Sequence, residues 1–276
     1  MNYNIDKIYL EKIKQVKKMN HPRILVNICS HGNEILGLKI EKLFKNIEII
    51  NGSVTFNIGN QEAVDKKVRF IDSDLNRSFP GKKNGNKEEI IAYNMMKYIK
   101  YFDYLIDIHS TVSGLKNSII VEDYSSRVKK IVSVCKNADT ILVMSATSGS
   151  SIFRTCVVNK IPGMAFEYGD NSIETAKRTF EDLINILSYL KVVDLKINKK
   201  TRNINLRKFN CYDTIQKKDG DVLKSGLNNF KLIKKGEIIK YDKDKNPIVS
   251  NEDFYPILLG EKNYKNIFGF KGKLIK

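Results

Sequence analysis

Long apolar runs are missing from this 276-residue chain, and no stretch is long and greasy enough to span a bilayer, which argues against a membrane protein. The first residues, MNYNIDKIYLEKIKQVKKMNH, scatter charges among their apolar positions and lack the uninterrupted core and small-residue cleavage site of a signal peptide, so residence in the cytoplasm is expected. Cysteine is scarce too. Cys29, Cys135, Cys156 and Cys211 lie far apart with no CxxC pair, which excludes a dithiol redox motif and a thiolate zinc site and fits four free thiols. Arginine is the third shortage: the formal net charge is +17, yet only 8 of the 48 basic residues are arginine, and the lysines run along the whole chain. With no zinc finger, aromatic RNA-binding signature or basic recognition helix, this dispersed charge does not describe a nucleic-acid surface. It would still attract a small anion.

What is present describes a globular protein, with 42% apolar and 29% charged residues. Strand and helix signals alternate over the first two thirds. RILVNICS and DYLIDIHS have the length and continuity of buried strands; EILGLKIEKLFKN and KEEIIAYNMMKYIKYF carry apolar residues at helical spacing. Further helices are expected near SSRVKKIVSVC and IETAKRTFEDLINILSYL, with the strand GMAFEYG between them. Such alternation predicts an α/β fold, a parallel or mixed sheet flanked by helices. After about residue 195 the pattern changes to short apolar runs broken by KKDGD, KSG, KKG and DKDKN, which are turn signals. The expected division is a main domain over residues 1–197 and a smaller β-rich domain over 198–276.

The chain has three histidines, and two of them follow predicted strands: His31 after RILVNICS and His109 at the end of DYLIDIH. Open α/β sheets place their sites at the carboxyl ends of strands. A lone histidine there is usually structural, but two, with Glu34 three residues beyond His31, suggest metal ligands. Two imidazoles and one carboxylate, with a fourth position left open, is a catalytic zinc set. Gly32 and Asn33 allow the tight turn that lets His31 and Glu34 converge. Asp107 shares a strand face with His109 and either orients its ring or makes a helix cap or other buried polar contact. In KKVRFIDSDLNRSFPG, Arg69 and Arg77 sit among Asp72, Asp74 and Asn76; either they grip a carboxylate or they form a surface salt-bridge cluster.

HGNE, RFIDSDLNRSF, DIHST, AFEYG and YPILLGEKNY, in that order, resemble the succinylglutamate desuccinylase/aspartoacylase family, relatives of the zinc carboxypeptidases. The resemblance implies a zinc-carboxypeptidase-like fold whose β-rich C-terminal part caps the site, and a zinc-dependent amidohydrolase that removes the acyl group from an N-acyl amino acid, an acidic one by the family pattern. It implies one Zn²⁺ per chain held by His31, Glu34 and His109, with Glu167 as catalytic carboxylate and Arg69 stabilising the oxyanion. Asn76 and Arg77 would hold the substrate carboxylate, and Tyr264 would reach in from the C-terminal part. Arg154 is the one candidate for an acidic side chain's partner, although it lies further from Glu167 than the family pattern has it. Tyr168 replaces a usual aliphatic residue, and GNQEAV stands where the family has an NP element. The expected partner is a small anionic N-acyl amino acid, with a homo-oligomer compatible and neither nucleic acid nor membrane involved. The alternatives are a zinc carboxypeptidase acting on peptides or cell-wall fragments, and a cationic binding protein with structural histidines.

Overall fold

The computed structural model describes residues 5–144, 151–195, 206–262 and 264–275. Helices α1 (Ile5–Val16), α2 (Leu36–Phe44), α3 (Gln61–Lys66), α4 (Lys87–Ile99), α5 (Ser126–Val132), α6 (Ile152–Val158) and α7 (Ile173–Tyr189) alternate with strands β1 (Arg23–Ile28), β2 (Ser53–Ile58), β3 (Tyr104–His109), β4 (Ser118–Val121), β5 (Thr140–Val143) and β6 (Gly163–Glu167). Then come β7 (Arg207–Gln216), β8 (Val222–Leu223), β9 (Ile238–Tyr241), β10 (Pro247–Val249), β11 (Tyr255–Ile257) and β12 (Ile267–Ile275). Among the described residues, no helix is long and apolar enough to cross a membrane.

Nine strands form one mixed sheet in the order β11-β12-β7-β5-β4-β6-β3-β1-β2. β2, β1, β3 and β6 are mutually parallel, so their carboxyl ends share an edge; β4 runs antiparallel to β6. The predicted α/β class is therefore correct, and the sheet is larger than the sequence suggests. β7 pairs parallel with β5 and β12 antiparallel with β7, so C-terminal strands extend the main sheet. The three-stranded antiparallel sheet β10-β9-β8 is separate. The expected boundary at 197/198 falls outside the described residues.

Side-chain alternation along each strand divides the core into two layers. Ile24, Val26, Ile28, Ile106, Ile108, Met164 and Phe166 pack with residues of α2, α5 and α7. Leu25, Leu105 and Ala165 face the other way, into a layer built by α1, α4 and α6. Local sequence fixes the helix starts on both sides. Asn86 accepts from the Glu89 amide while the Glu89 carboxylate accepts from the Asn86 amide, a complete capping box at α4. Ser172 caps α7 through the Thr175 amide.

Candidate active site

The carboxyl-terminal edge of β1, β3 and β6 gathers the polar groups. His31 and Glu34 lie in the loop between β1 and α2, His109 ends β3 and Glu167 ends β6, where His109 and Glu167 are register partners. Gly32 allows this loop its path. A Cβ there would stand 2.1 Å from the backbone carbon of Ala63, so the glycine is required by close approach to α3.

The Glu34 carboxylate lies between the two imidazoles, with Oε1 2.8 Å from His31 Nδ1 and Oε2 2.8 Å from His109 Nδ1. Each ring's Nε2 faces an aspartate: Asp74 at 3.1 Å from His31 and Asp107 at 2.8 Å from His109. All three residues are buried, and one ligand atom from each lies within 4.8 Å of the others. Burial works to lower the histidine pKa values, but the facing carboxylates outweigh it and hold both raised, His109 well above its usual range. This donor set, two imidazoles and a carboxylate with carboxylates behind the rings, fits a divalent ion of zinc type.

The orienting role expected of Asp107 rests on a ladder that sequence reading missed. Asn27 donates to Asp107 Oδ1 at 2.9 Å, Asn57 donates to Asn27 Oδ1 at 2.8 Å, and the Lys12 ammonium donates to Asn57 Oδ1 at 2.6 Å. Asn57, Asn27 and Asp107 are cross-strand neighbours on β2, β1 and β3. A polar residue inside the apolar run RILVNI was the available signal.

The stretch from Arg69 to Arg77 is held over this edge by Glu88, which is fully buried in α4. Its carboxylate accepts from the amides of Ile71 (2.7 Å), Asp72 (3.0 Å) and Ser73 (3.0 Å) and from Asn60 Nδ2 (2.8 Å). Arg69 is thereby delivered to Glu34 Oε1 (2.8 Å) and Asp74 Oδ2 (3.1 Å). Asn76 Nδ2 lies 3.3 Å from His109 Nε2, and the exposed Arg77 sits on the 3-10 turn Leu75–Arg77.

These groups line a cavity of about 740 Å³ that is open to solvent. Of the residues singled out in the sequence, His31, Glu34, His109, Glu167, Arg69, Asn76, Arg77 and Tyr264 all border it. Arg154 does not. Its side chain is 60% exposed and points to Glu122, with Nη1 3.4 Å from Oε1, so the expected carboxylate partner is not in the cavity. Phe153, its neighbour on α6, lines the wall instead. Glu261 also borders the cavity and accepts from Thr111 Oγ1 at 2.8 Å and the Val112 amide at 3.2 Å, tying the C-terminal stretch to the loop after β3. Among the described residues that border the cavity, four buried polar atoms have no hydrogen-bond partner: Glu167 Oε2, Asn76 Oδ1, Arg69 Nε and Ser151 Oγ. Burial pushes the Glu167 carboxyl up to about 7; His109 opposes this, and the Glu34 and Glu261 carboxylates add to it.

Residues 20–174, more than half of the chain, match the model of the succinylglutamate desuccinylase/aspartoacylase catalytic domain. The chain belongs to this family. A probable aspartoacylase of Prochlorococcus marinus (strain MIT 9515) is 32% identical over 123 residues, covering 40% of this chain and 41% of that protein. The aspartoacylase of Xenopus tropicalis is 29% identical over 118 residues, covering 37% and 38%. The alignments thus span about two fifths of the length of these curated relatives. Murine aminoacylase 3 has a similar fold, with a TM-score of 0.73 at 16% identity over 92% of this chain and 95% of that one. The succinylglutamate desuccinylase of Vibrio parahaemolyticus gives 0.70 at 17% identity, over 92% and 82%. Each of these likenesses of fold covers 92% of this chain, more than the matched residues 20–174.

Proposed function

We propose that this protein is a zinc-dependent amidohydrolase that removes the acyl group from an N-acyl amino acid. The observation that carries this reading is the buried His31, Glu34 and His109 set, beside a Glu167 whose Oε2 has no partner among the described residues. Membership of the family supports it, as do the names of relatives called aspartoacylase and of a structural neighbour called succinylglutamate desuccinylase.

His31, Glu34 and His109 would hold one Zn²⁺, which when bound supplies Lewis acidity at an amide carbonyl and makes water nucleophilic near neutral pH. Glu167 does the proton work. With its pKa near 7 it accepts a proton from the attacking water and returns it to the leaving nitrogen, so one carboxylate serves both half-steps. Arg69, with Nε unpartnered and Nη1 and Nη2 fixed by Glu34 and Asp74, presents a preset cation to the carbonyl oxygen as negative charge develops there. Arg77 at the mouth and the Asn76 amide hold the substrate's α-carboxylate. Glu261 and Tyr264 wall the site from the C-terminal side and leave room for a small substrate better than for a continuing peptide, which disfavours the carboxypeptidase reading.

Metal analysis and a hydrolysis screen test the proposal together. The purified chain should carry close to one zinc per molecule and release free amino acid from at least one N-acetyl, N-formyl or N-succinyl derivative. His109→Ala should lose both the zinc and the activity while keeping its far-ultraviolet circular dichroism. A folded wild type that binds no divalent ion would instead favour the cationic binding protein with structural histidines.

A further inference from the structure

Resting on that reading, we infer that the substrate carries a single carboxylate and is otherwise apolar: an N-acyl amino acid with an aliphatic or thioether side chain rather than an acidic one. The evidence is the distribution of charge around the cavity. Its inner wall is made by Ile120, Met144, Phe153, Ala165, Leu258 and Phe270. These come from β4, the end of β5, α6, β6 and the C-terminal stretch, so the apolar lining does not depend on one side chain.

Among the described residues, the cations bordering the cavity besides the two imidazoles are Arg69 and Arg77. Arg69 is occupied by Glu34 and Asp74. Arg77 is exposed at the mouth and makes one hydrogen bond, to the carbonyl of Asn76, so it can take one carboxylate there. A second carboxylate, whether on the side chain or on the acyl group, would have to lie against the apolar wall. The arginine that the sequence offers for it, Arg154, is directed away to Glu122.

Lys265 stays outside, with its ammonium 6.0 Å from the Phe70 ring. A charge transferred from water to such a wall without a partner is strongly disfavoured, whereas a methylene or thioether gains by leaving water. The general positive field of the chain attracts mono- and dianions alike at long range and does not supply the missing contact.

The test compares four substrates on the full chain loaded with Zn²⁺: N-acetyl-L-leucine, N-acetyl-L-methionine, N-acetyl-L-aspartate and N-succinyl-L-glutamate. The expected result is kcat/KM for the first two on the order of 10²-fold above that for the last two. Equal or greater values for the dianions overturn the inference and leave the deacylase reading standing. No hydrolysis of any of the four overturns this inference, while the wider hydrolysis screen with metal analysis decides the deacylase reading. Calorimetric binding to the metal-free chain gives a readout without turnover: N-acetyl-L-leucine should bind at least about tenfold more tightly than N-acetyl-L-aspartate, and the reverse order overturns the assignment. Ile120→Arg and Phe153→Arg each place a cation in the wall. At least one should fold with an unchanged circular dichroism spectrum and shift the preference towards N-acetyl-L-aspartate by about tenfold or more. A folded variant whose preference does not move shows that the variable group lies elsewhere.

Discussion

Glu167 and His109 occupy the same level on adjacent strands, yet the proposed function gives them separable tasks. His109 is closed in by Glu34 and Asp107, whereas Glu167 keeps one oxygen unpartnered. Glu167→Gln preserves the shape and removes the base, so zinc content should stay near one per chain while kcat falls by roughly 10²-fold or more. Loss of zinc from that variant would make Glu167 a ligand, and an unchanged kcat would remove it from the reaction. At this scale the donors were legible because histidine is rare and strand ends are where sites form. Glu88, Asn27, Asn57 and Glu261 were not legible, since each works by holding another group and nothing in a single sequence marks a glutamate at a helix start as an anchor for a loop sixteen residues earlier. Arg154 lies apart from the cavity residues, because proximity in sequence to β6 is not proximity in space. α6 turns its neighbour Phe153 to the cavity instead.

β6 and α7 are coupled by one polar contact in an otherwise apolar layer. The Tyr168 hydroxyl donates to Asp182 Oδ2 at 2.7 Å, and the same carboxylate accepts from the amides of Lys136 and Asn137. Burial raises the Asp182 pKa, opposed by these donors. Tyr168, just past the end of β6, is fully buried, packs edge-on against Phe166 with ring centroids 4.9 Å apart and does not border the cavity. It is therefore a feature of the core and not of specificity. Tyr168→Phe should cost about 1–3 kcal/mol in denaturant unfolding and leave KM unchanged, because it removes one donor from a buried carboxylate. A changed substrate preference would contradict this placement. Of the elements themselves, the strongly patterned ones (β1, α2, α4, β3, β6 and α7) were readable from periodicity. β2 was not, being a partly buried edge strand with no continuous apolar run, and β4 and β5 are four residues each, too short to show a period. Their antiparallel and parallel pairings depend on long-range contacts that local spacing does not encode.

For the molecule as a whole, the surplus of positive charge is mostly a surface property, and Lys12 is one of the cations drawn inward. Its ammonium is packed between the Tyr9 ring, at 4.8 Å, and Asn57, and burial lowers its pKa from 10.5 to about 8. Below pH 8 both folded and unfolded chains carry this proton, and the folded one bears the full cost of burying the charge. Between pH 8 and 10.5 the folded chain releases the proton while the unfolded chain keeps it, so unfolding takes up a proton and stability rises with pH. Lys12→Met should abolish that rise, on the order of 1–3 kcal/mol, relative to the wild type across the same window. Parallel pH profiles for the two would show the ammonium to be solvated. The β-rich texture of the last third was readable from its turns; that its long strands would join the main sheet was not, because edge pairing between β5 and β7 leaves no mark in either segment alone.

The cavity draws its walls from widely separated parts of the chain, and that separation has a consequence in time. A polypeptide made from its N-terminus has the three proposed donors once it passes His109, and the proposed base at Glu167, long before Leu258, Glu261, Tyr264 and Phe270 are synthesised. An ion can therefore be taken up while the centre is still open, with the last wall added over a site already filled. Zinc supplied during refolding should then load faster than zinc offered to the folded, metal-free chain, and equal loading rates would show that the finished wall is no obstacle to the ion.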